Sequence, residues 1–339
     1  MTQARRLAAA SIVLLTGTAM AQSSVGISGV LDEFVAVHHA GGRNNYRVDS
    51  NGMLGSRVVF RGSEDLGGGL RANFLLEHGF NPDSGAQTDP TRYFNRQSWV
   101  GFSSSQWGDF RVGRLTSPQF FMLGLFDAFQ GATMGSSLSN LSAYPVRFDN
   151  AFGYVTPPTL GPFRVQMTAA LNEQARGRKM EAGVVGLEYR SGPLSLGANY
   201  ANGQNAATLV VTRAAFAGGN YDFGKGKVFV GYFQTRIDNG SLDRKTLGIS
   251  AQYIVTPALT LVAGYARAND RTPTNADGGH ASTGFFYEMS KRTMLYGNVS
   301  KMWNDRGAKF SLNGATALGF VPQPGDDVAG AQLGIRHLF

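Results

Sequence analysis

The sequence predicts an all-β protein in which sixteen antiparallel strands close into a barrel that spans a lipid bilayer. Apolar residues alternate with polar or very small ones along most of the chain. Glycine is abundant, with 45 residues among 339, and charged residues make up only 16%. Alternation with a period of two gives a strand one apolar and one polar face. A closed sheet of such strands separates lipid from water and leaves no unpaired edge.

The clearest alternation lies within residues 163–172, 194–200 and 246–253. In the second of these segments, leucines, an alanine and a tyrosine alternate with serine, glycine and asparagine. A secreted soluble β-sandwich is the competing fold, and it would need doubly covered strands and fewer outward aromatic residues. Because nearly every strand alternates in this way, the barrel is the better prediction.

Short turns and longer polar or irregular loops follow each other along the chain, seven of the first kind and eight of the second, which predicts sixteen strands. An up-and-down barrel places all short turns at one rim and all long loops at the other. The short turns are predicted at 64–69, 103–109, 157–162, 191–193, 222–227, 256–258 and 290–292. The longer loops are predicted at 38–52, 80–95, 116–146, 172–180, 202–208, 238–243, 269–280 and 304–328.

The third long loop, 116–146, differs from the others in length and chemistry. It is rich in phenylalanine, serine and glycine, and Asp127 is its only ionised residue. Loops longer than about 12–15 residues are usually functional or disordered. Apolar residues such as Phe120, Phe126 and Phe129 predict a loop folded into the lumen, where the wall would bury them. The alternative is a cap packed over the barrel mouth.

Residues 1–21 are predicted to be a cleaved secretory signal peptide, which leaves the barrel domain in 22–339. Arg5 and Arg6 precede an apolar stretch, and small residues flank position 20 before the cleavage point. The stretch is shorter than the roughly 20 apolar residues of a membrane-spanning helix. Loss of the two arginines lowers the formal net charge from +8 to +6.

Motifs for catalysis, metal binding or nucleic-acid binding are weak or missing in the sequence. The glycines at 67–69 are not followed by Gly-Lys-Ser/Thr, and no Gly-x-Ser-x-Gly motif occurs. His38 and His39 have no third ligand nearby and are predicted to be a solvent-exposed pair in a loop. Basic residues are not concentrated among aromatics, as nucleic-acid binding would require. We therefore expect no cofactor, no metal, no nucleic-acid partner and no enzyme, with an outer-membrane barrel enzyme as a minor alternative.

Several stretches resemble the general porins of Gram-negative outer membranes, most closely those of β-proteobacteria. They are 56–70 (SRVVFRGSEDLGGGL), 71–80 (RANFLLEHGF), 96–102 (RQSWVGF), 108–118 (GDFRVGRLTSP), 147–154 (RFDNAFGY), 287–297 (YEMSKRTMLYG) and 334–339 (GIRHLF). The resemblance implies a homotrimer in outer-membrane lipid that passes small hydrophilic solutes, with the third extracellular loop folded inward. It also implies that Phe339 is part of the signal read by the barrel-assembly machinery.

Strand parity places several charged residues in the lumen. If Val58 and Phe60 face lipid, then Arg57 and Arg61 face inward, and an arginine on the lipid face would cost about 2–4 kcal/mol at the midplane. The same parity argument gives the rest of the lumen-facing set, with Arg71, Asn73 and Glu77 in the third strand and, from less regular alternation, Arg96 and Arg111.

In the sixth strand, Phe148, Phe152 and Tyr154 are expected to point toward lipid, which turns Arg147 and Asp149 inward. In the resembling family, an arginine ladder on the wall faces acids on the inward loop. The local motifs match Arg57, Arg96 and Arg147 to the ladder positions.

The acidic side of that family pattern is reduced in this sequence, because Asp127 alone remains in the third loop. A net positive constriction would favour anions. We assign the positive charge of the constriction to Arg57, Arg61, Arg96, Arg111 and Arg147. Two alternatives stay open. The wall acids could neutralise the arginines, or the same arginines could form a selective path for phosphate or organic acids. The wall acids in question are Asp32, Glu33, Glu77 and Asp149.

Overall fold

The computed structural model describes residues 24–131, 133–173, 177, 180–205, 207–312 and 322–339. The predicted signal peptide lies outside the described residues. Neither helix in the described part has the length and apolar character needed to cross a membrane. The strands are β1 (Ser24–Ala40), β2 (Arg43–Ser50), β3 (Arg57–Gly67), β4 (Leu70–Gly79), β5 (Gln97–Ser104), β6 (Gly108–Thr116), β7 (Arg147–Val155), β8 (Phe163–Leu171), β9 (Met180–Ser191), β10 (Leu194–Gln204), β11 (Val211–Asp222), β12 (Gly226–Ile237), β13 (Asp243–Ile254), β14 (Leu259–Asp270), β15 (Gly278–Glu288), β16 (Thr293–Asn304) and β17 (Val328–Leu338). The helices are α1 (Pro118–Leu125) and α2 (Ser137–Leu141).

The strands form one closed antiparallel sheet. The last strand, β17, pairs with β1 from Val30↔Leu338 to Ala40↔Val328. Strand β1 also pairs with β2 along residues 33–40 and with β3 along residues 24–30. Strands β2 and β3 are therefore consecutive halves of the second wall strand. The seventeen segments make up the predicted sixteen-stranded barrel, and this prediction is confirmed.

The alternation has the polarity of a membrane barrel. In β13, Leu247 and Ile249 are 58% and 57% exposed on the outer face, whereas the neighbouring Thr246 is buried inside. Apolar side chains thus face outward and polar side chains face the interior. This is the reverse of a soluble protein, and it suits a wall with lipid outside and water inside.

All seven predicted short turns are found at one rim. The prediction of a first long loop at 38–52 is wrong. Strands β1 and β2 instead meet in a tight hairpin at Gly41 and Gly42, whose φ angles are 55° and 71°. The polar run after this turn forms strand β2, because its backbone pairs with β1. His38 and His39 therefore lie in a strand, and His38 is buried, contrary to the predicted solvent-exposed pair. Among the described residues, no group of three or more possible metal ligands occurs.

The third long loop folds into the barrel, as predicted, and is called loop three below (residues 116–146). Its α1 helix packs on β9 and β10, and α2 packs on β13 to β15. A Cβ atom added to Gly197 in the middle of β10 would lie 2.4 Å from Phe126, and one added to Gly231 in β12 would lie 2.6 Å from Leu138. These contacts are deep in the barrel, so the alternative of an outer cap is excluded.

Part of the last long loop also enters the barrel, which the sequence did not indicate. Leu312 is buried in the same interior cluster as Met134 of loop three. A Cβ atom on Gly330 of β17 would lie 2.8 Å from Met134 Sδ and 3.2 Å from Leu312 Cδ1. The described part of this loop thus fills space between loop three and the wall.

Phe148 was expected to face lipid, and this expectation is wrong. The register of β6 against β7 shifts between Gly113 and Leu115, and Asn150 has a φ of 48°. These two irregularities change the parity at the start of β7. Phe148 consequently packs against interior residues, including Leu115.

Candidate functional site at the pore constriction

The centre of the site is a carboxylate shared by two arginines. Glu77 Oε1 lies 3.1 Å from Arg57 Nε and 2.8 Å from Arg96 Nε. Its other oxygen accepts a hydrogen bond of 2.7 Å from Gln97 Nε2. Glu77 is buried, and both guanidinium groups are mostly shielded from solvent. Glu77, Arg57 and Arg96 together have a net charge of +1.

The sheet order brings these three residues together. Arg57 is the first residue of β3, Glu77 lies in β4, and Arg96 directly precedes β5. Strand β4 pairs with β3 on one side and with β5 on the other, which places Glu77 between the two arginines. Sequence parity assigned Arg57 and Glu77 to the same face, and the register agrees.

A second group lies beside the first and includes two arginines that the sequence analysis missed. Asp149 forms an ion pair with Arg114, and its Oδ2 atom lies 3.1 Å from Nη2 of Arg92. Arg114 Nε also donates a 2.8 Å hydrogen bond to the carbonyl oxygen of Asn95. Strict alternation with Val112 would have turned Arg114 outward, but the β6 bulge brings it to the inner cluster. Arg92 belongs to a loop, where parity gives no signal.

Arg147 connects the two groups electrostatically. It interacts with Arg96, Glu77 and Arg114. Its Nε atom has no hydrogen-bond partner among the described residues. Arg92 Nη1 also lies 3.0 Å from Asp89 Oδ2. Three carboxylates, those of Glu77, Asp89 and Asp149, are therefore set against five guanidinium groups, which are those of Arg57, Arg92, Arg96, Arg114 and Arg147.

The other two predicted pore arginines lie apart from this cluster. Arg61 Nη2 donates to Ser28 Oγ at 2.5 Å. Arg111 stacks over the Trp99 ring at 4.8 Å and lies 3.2 Å from Asp109. Both residues lie nearer the short-turn rim, Arg61 further toward the end of β3 than Arg57 and Arg111 toward the beginning of β6.

Two of the residues assigned to the lumen by parity lie beside these arginines. Arg71 Nε donates to Ser63 Oγ at 2.9 Å, and the Asn73 side chain bridges Ser63 and Ser103. They belong to the same face of β4 as Glu77. Polar side chains therefore lie on this face on both sides of Leu75, from the central cluster toward the short-turn rim.

Asp127 does not supply the pore-facing acid expected of loop three. Its side chain is only 4% exposed and accepts hydrogen bonds from Ser136 Oγ and from the Phe129 amide at 3.0 Å. Burial raises the pKa of Asp127 to about 6. The exposed residues of α1 are instead apolar, with Phe121 46% and Leu125 37% exposed. Loop three thus presents an uncharged surface to the lumen at α1.

The wall acids neutralise the arginines only in part. Glu77, Asp89 and Asp149 are paired with arginines as described. Asp32 interacts with Arg57 through its charge, but its side chain is hydrogen-bonded to backbone amides, and Glu33 accepts a hydrogen bond from Ser50 Oγ at 2.7 Å. The central cluster therefore keeps an excess of positive charge.

A closed barrel with an apolar outer face and a hydrophilic, positively charged interior defines a water-filled channel across a membrane. Residues 8–307 match the family of Gram-negative porins. This chain belongs to that family, whose members are passive outer-membrane channels rather than enzymes.

Individual porins are similar to this chain over most of its length. Outer membrane porin protein 32 of Delftia acidovorans is 30% identical over 99% of both chains. An outer membrane porin of Bordetella pertussis is 31% identical over 68% of both chains. The solved structure of an anion-selective porin from Comamonas acidovorans superposes with a TM-score of 0.82 at 26% identity, covering 94% of this chain and all of that one. The protein is thus an outer-membrane porin for the passive diffusion of small hydrophilic solutes.

Proposed function

We propose that the channel prefers anions and that the central arginine cluster sets this preference. The observation that carries the proposal is the charge count at the constriction, where three carboxylates are set against five guanidinium groups. The Asp127 carboxylate is turned into loop three and does not oppose them. The anion-selective porin from Comamonas acidovorans, to which this chain is similar, supports the same direction.

The physical basis is the electrostatic potential in a narrow, low-dielectric opening. Protein walls focus the field of fixed charges and raise the local concentration of the opposite ion. Rings of arginine side chains select anions in this way. Because Glu77 already occupies two of the arginines, we expect anions to pass by diffusion without tight binding. Arg61 and Arg111 would extend the positive path toward the short-turn rim.

The test is the reversal potential of the purified protein in a planar bilayer under a KCl gradient. We expect a chloride-selective potential that falls toward zero in the double variant Arg57→Ser/Arg147→Ser. The matched control is Arg292→Ser, which removes an exposed arginine from the last short turn. A cation-selective wild type, or a double variant that behaves like the control, would contradict the proposal.

A second candidate is a channel selective for organic acids, and the exposed side chains of α1 favour it over a phosphate channel. Phe121 and Leu125 offer apolar surface inside an arginine-lined lumen. A carboxylate with an aromatic tail could use both features, whereas phosphate could use only the charge. We expect benzoate to block chloride current at a lower concentration than phosphate does, and Phe121→Ser to remove the difference. Equal block of the chloride current by the two anions would contradict this second candidate and leave a general pore.

We also propose that the mature protein begins at Gln22, assembles as a homotrimer, and uses Phe339 as part of its assembly signal. The support is the signal-peptide pattern of residues 1–21 and membership of the porin family. N-terminal sequencing of protein from outer membranes should start at Gln22. Unheated samples should migrate in SDS gels as a trimer that becomes a monomer on boiling. A mature protein that retains Met1, or one that migrates as a monomer without heating, would refute the corresponding part.

A further inference from the structure

We propose that Asp32 is a positioning residue for ion selectivity. It holds the segment between β2 and β3, residues 51–56, inside the barrel, and this segment, the inward bulge, places Arg57 and Arg96. The inference rests on the proposed anion preference, because that preference is the property these two arginines would set. It adds a residue that touches no ion and acts through others.

The inward bulge lies on the lumen side of the wall. Asp32 shares the inner face of β1 with the buried Phe34, whereas Leu31 and Val35 on the other face are exposed. Met53, in the middle of the bulge, is fully buried in the interior cluster that also contains Phe34. The second wall strand thus leaves the sheet for six residues and returns to it at Arg57.

The Asp32 side chain binds three consecutive amides of the inward bulge. Oδ1 accepts from Gly52 N at 3.1 Å, and Oδ2 accepts from Met53 N at 3.1 Å and from Leu54 N at 2.7 Å. Tyr296 Oη of β16 donates a fourth hydrogen bond at 2.6 Å. Hydrogen bonds to an ionised acceptor are about twice as strong as neutral ones. Asp32 itself has no exposed surface.

The backbone of Asp32 fixes both ends of the same segment. Its carbonyl oxygen accepts from Asn51 N at 2.8 Å, and its amide donates to Ser56 Oγ at 3.0 Å. Asn51 Oδ1 also accepts from Ser56 N, which closes the six residues into a loop. One residue therefore anchors the beginning, middle and end of the inward bulge.

The far end of the bulge touches both arginines. Arg57 Nη1 donates to the Gly55 carbonyl oxygen at 2.7 Å. A Cβ atom added to Gly55 would lie 2.3 Å from Arg96 Nη1, so the Arg96 guanidinium rests directly on this glycine. Glu77 and the bulge thus hold the two guanidinium groups from different sides.

The bulge is also connected to loop three. Gln332 Nε2 donates to the Gly52 carbonyl oxygen at 3.1 Å, and Gln332 Oε1 accepts from Met134 N at 3.3 Å. The two inward segments are therefore joined through one side chain of β17. A change that releases the bulge would disturb this contact as well as the arginines.

A simpler role for Asp32 predicts the opposite result. If Asp32 acted only as a fixed negative charge, its removal would raise the chloride-to-potassium permeability ratio. If it positions Arg57 and Arg96, its removal should lower that ratio, since released guanidinium groups spread into solvent and are screened. The sign of the change separates the two roles.

The first experiment compares reversal potentials of Asp32→Asn and of Gly52→Ala. The glycine variant leaves the charge unaltered, but its methyl group would lie 2.3 Å from Gln332 Nε2 and Tyr296 Oη, so the bulge and the two side chains that contact it must shift relative to each other. We expect both variants to lower the chloride-to-potassium ratio by roughly twofold or more, as for a weakened charge ring. The controls are Asp305→Asn, which removes an exposed charge, and Gly279→Ala, whose methyl group makes only an ordinary 3.5 Å contact. Neither control should lower the ratio.

The second experiment measures release of the bulge without using selectivity. The chain has no cysteine, so Met53→Cys introduces a single buried thiol. We expect a charged, water-soluble thiol reagent to react slowly with this variant and at least about tenfold faster once Asp32→Asn is added, as for a locally opened segment. The Asp305→Asn background should leave the slow reaction unchanged.

The two experiments separate failure of this inference from failure of the proposed function. A wild type without anion preference would overturn the proposed function, and faster labelling in Asp32→Asn would then show only that Asp32 holds the bulge. Unchanged labelling, or a permeability ratio that rises in Asp32→Asn, would overturn the positioning role. A ratio that stays constant in Gly52→Ala would overturn it as well, even if Asp32→Asn failed to fold.

Discussion

Glu77 is the residue on which the constriction depends most. Its carboxylate is buried between Arg57 and Arg96 and also accepts from Gln97. Removing one member of a buried ion pair leaves the other charge without compensation, which costs more than the pair contributes when intact. The same substitution would increase the positive charge of the pore. Stability and selectivity should therefore change in opposite directions at this position.

For Glu77→Gln we expect the free energy of unfolding to fall by about 3 kcal/mol, because two shielded guanidinium groups lose their shared partner. Unfolding of the detergent-solubilised barrel by guanidinium chloride measures this change. In the same variant the chloride-to-potassium permeability ratio should rise, because a neutralising charge is lost while the inward bulge still holds both guanidinium groups at Gly55.

The control for this substitution is Glu288→Gln. Glu288 is half exposed and lies 4.0 Å from Arg336 Nη2. Solvent screening limits such a pair to about 1 kcal/mol or less. Equal destabilisation by the two substitutions would show that the buried position of Glu77 has no special importance.

At the scale of single residues, the sequence predicted the orientation of those in regularly alternating strands. It missed those in a loop or beside a bulge. Parity assigned Arg57 and Glu77 to one face, and the register places them there. It gave no indication of Arg92 or Arg114 at the cluster, because a loop has no parity and a bulge reverses it. Neither feature leaves a periodic signal in the sequence.

Loop three occupies part of the barrel interior, and glycines in the wall give it room. Phe126 lies on Gly197, and Leu138 lies on Gly231, at distances that a methyl group would not permit. The wall behind the loop is a continuous sheet that cannot yield outward. A larger wall residue must therefore push the loop into the water-filled space.

For Gly197→Ala we expect a lower single-channel conductance in concentrated KCl, since α1 would move into the lumen. The added Cβ atom would lie 2.4 Å from Phe126 Cε2. Gly203→Ala in the same strand is the matched control, because its nearest contact would be an ordinary 3.5 Å. An unchanged conductance in Gly197→Ala would mean that the loop adapts without narrowing the pore.

The burial of Asp127 predicts that the packing of loop three depends on pH. Burial raises its pKa to about 6, above the ordinary value of 3.8, so the folded loop favours the neutral carboxyl group. The stabilisation is complete below the ordinary pKa and is lost as pH rises through about 6. His280 also touches α2, with Nδ1 2.7 Å from Ser137 Oγ, so a variant of Asp127 alone is needed to separate the two groups.

Hydrogen exchange of loop-three amides, corrected for intrinsic rates, tests this dependence. We expect stronger protection well below pH 6 than well above it, because Asp127 is neutral there. Asp127→Asn cannot ionise and should show the same protection at both pH values. A pH difference that persists in this variant would assign the effect to another group.

On the scale of the whole molecule, closure of the barrel depends on the pairing of β1 with β17. Gly29 and Phe339 exchange two backbone hydrogen bonds, of 2.9 Å and 3.1 Å, at the end of this seam. The Phe339 ring covers Gly29, where an added Cβ atom would lie 2.2 Å from the ring and 2.5 Å from the Arg57 carbonyl oxygen. The aromatic ring thus occupies the space that a side chain at position 29 would need.

We expect Gly29→Ala, like deletion of Phe339, to reduce the fraction of protein that reaches the outer membrane as a folded barrel. The shift in gel mobility between unheated and boiled samples measures that fraction. Gly279→Ala, which adds the same methyl group to another strand, should assemble normally. Normal assembly of Gly29→Ala would show that the ring can move aside without cost.

The sequence by itself determined the barrel, its sixteen strands, its short turns and the inward path of loop three. The barrel, its strands and its turns follow from the two-residue alternation, which is local and repeats many times. The inward path of loop three follows from its many apolar residues and its single charged residue. The tertiary structure alone decided the hairpin at Gly41 and Gly42, the inward bulge and the addition of Arg92 and Arg114 to the central cluster. The hairpin is local, but the polar run that follows it lacks the alternation that marks a strand. The bulge and the added arginines depend on contacts between segments far apart in the chain, such as Asp32 with Tyr296, and no local pattern encodes such a contact.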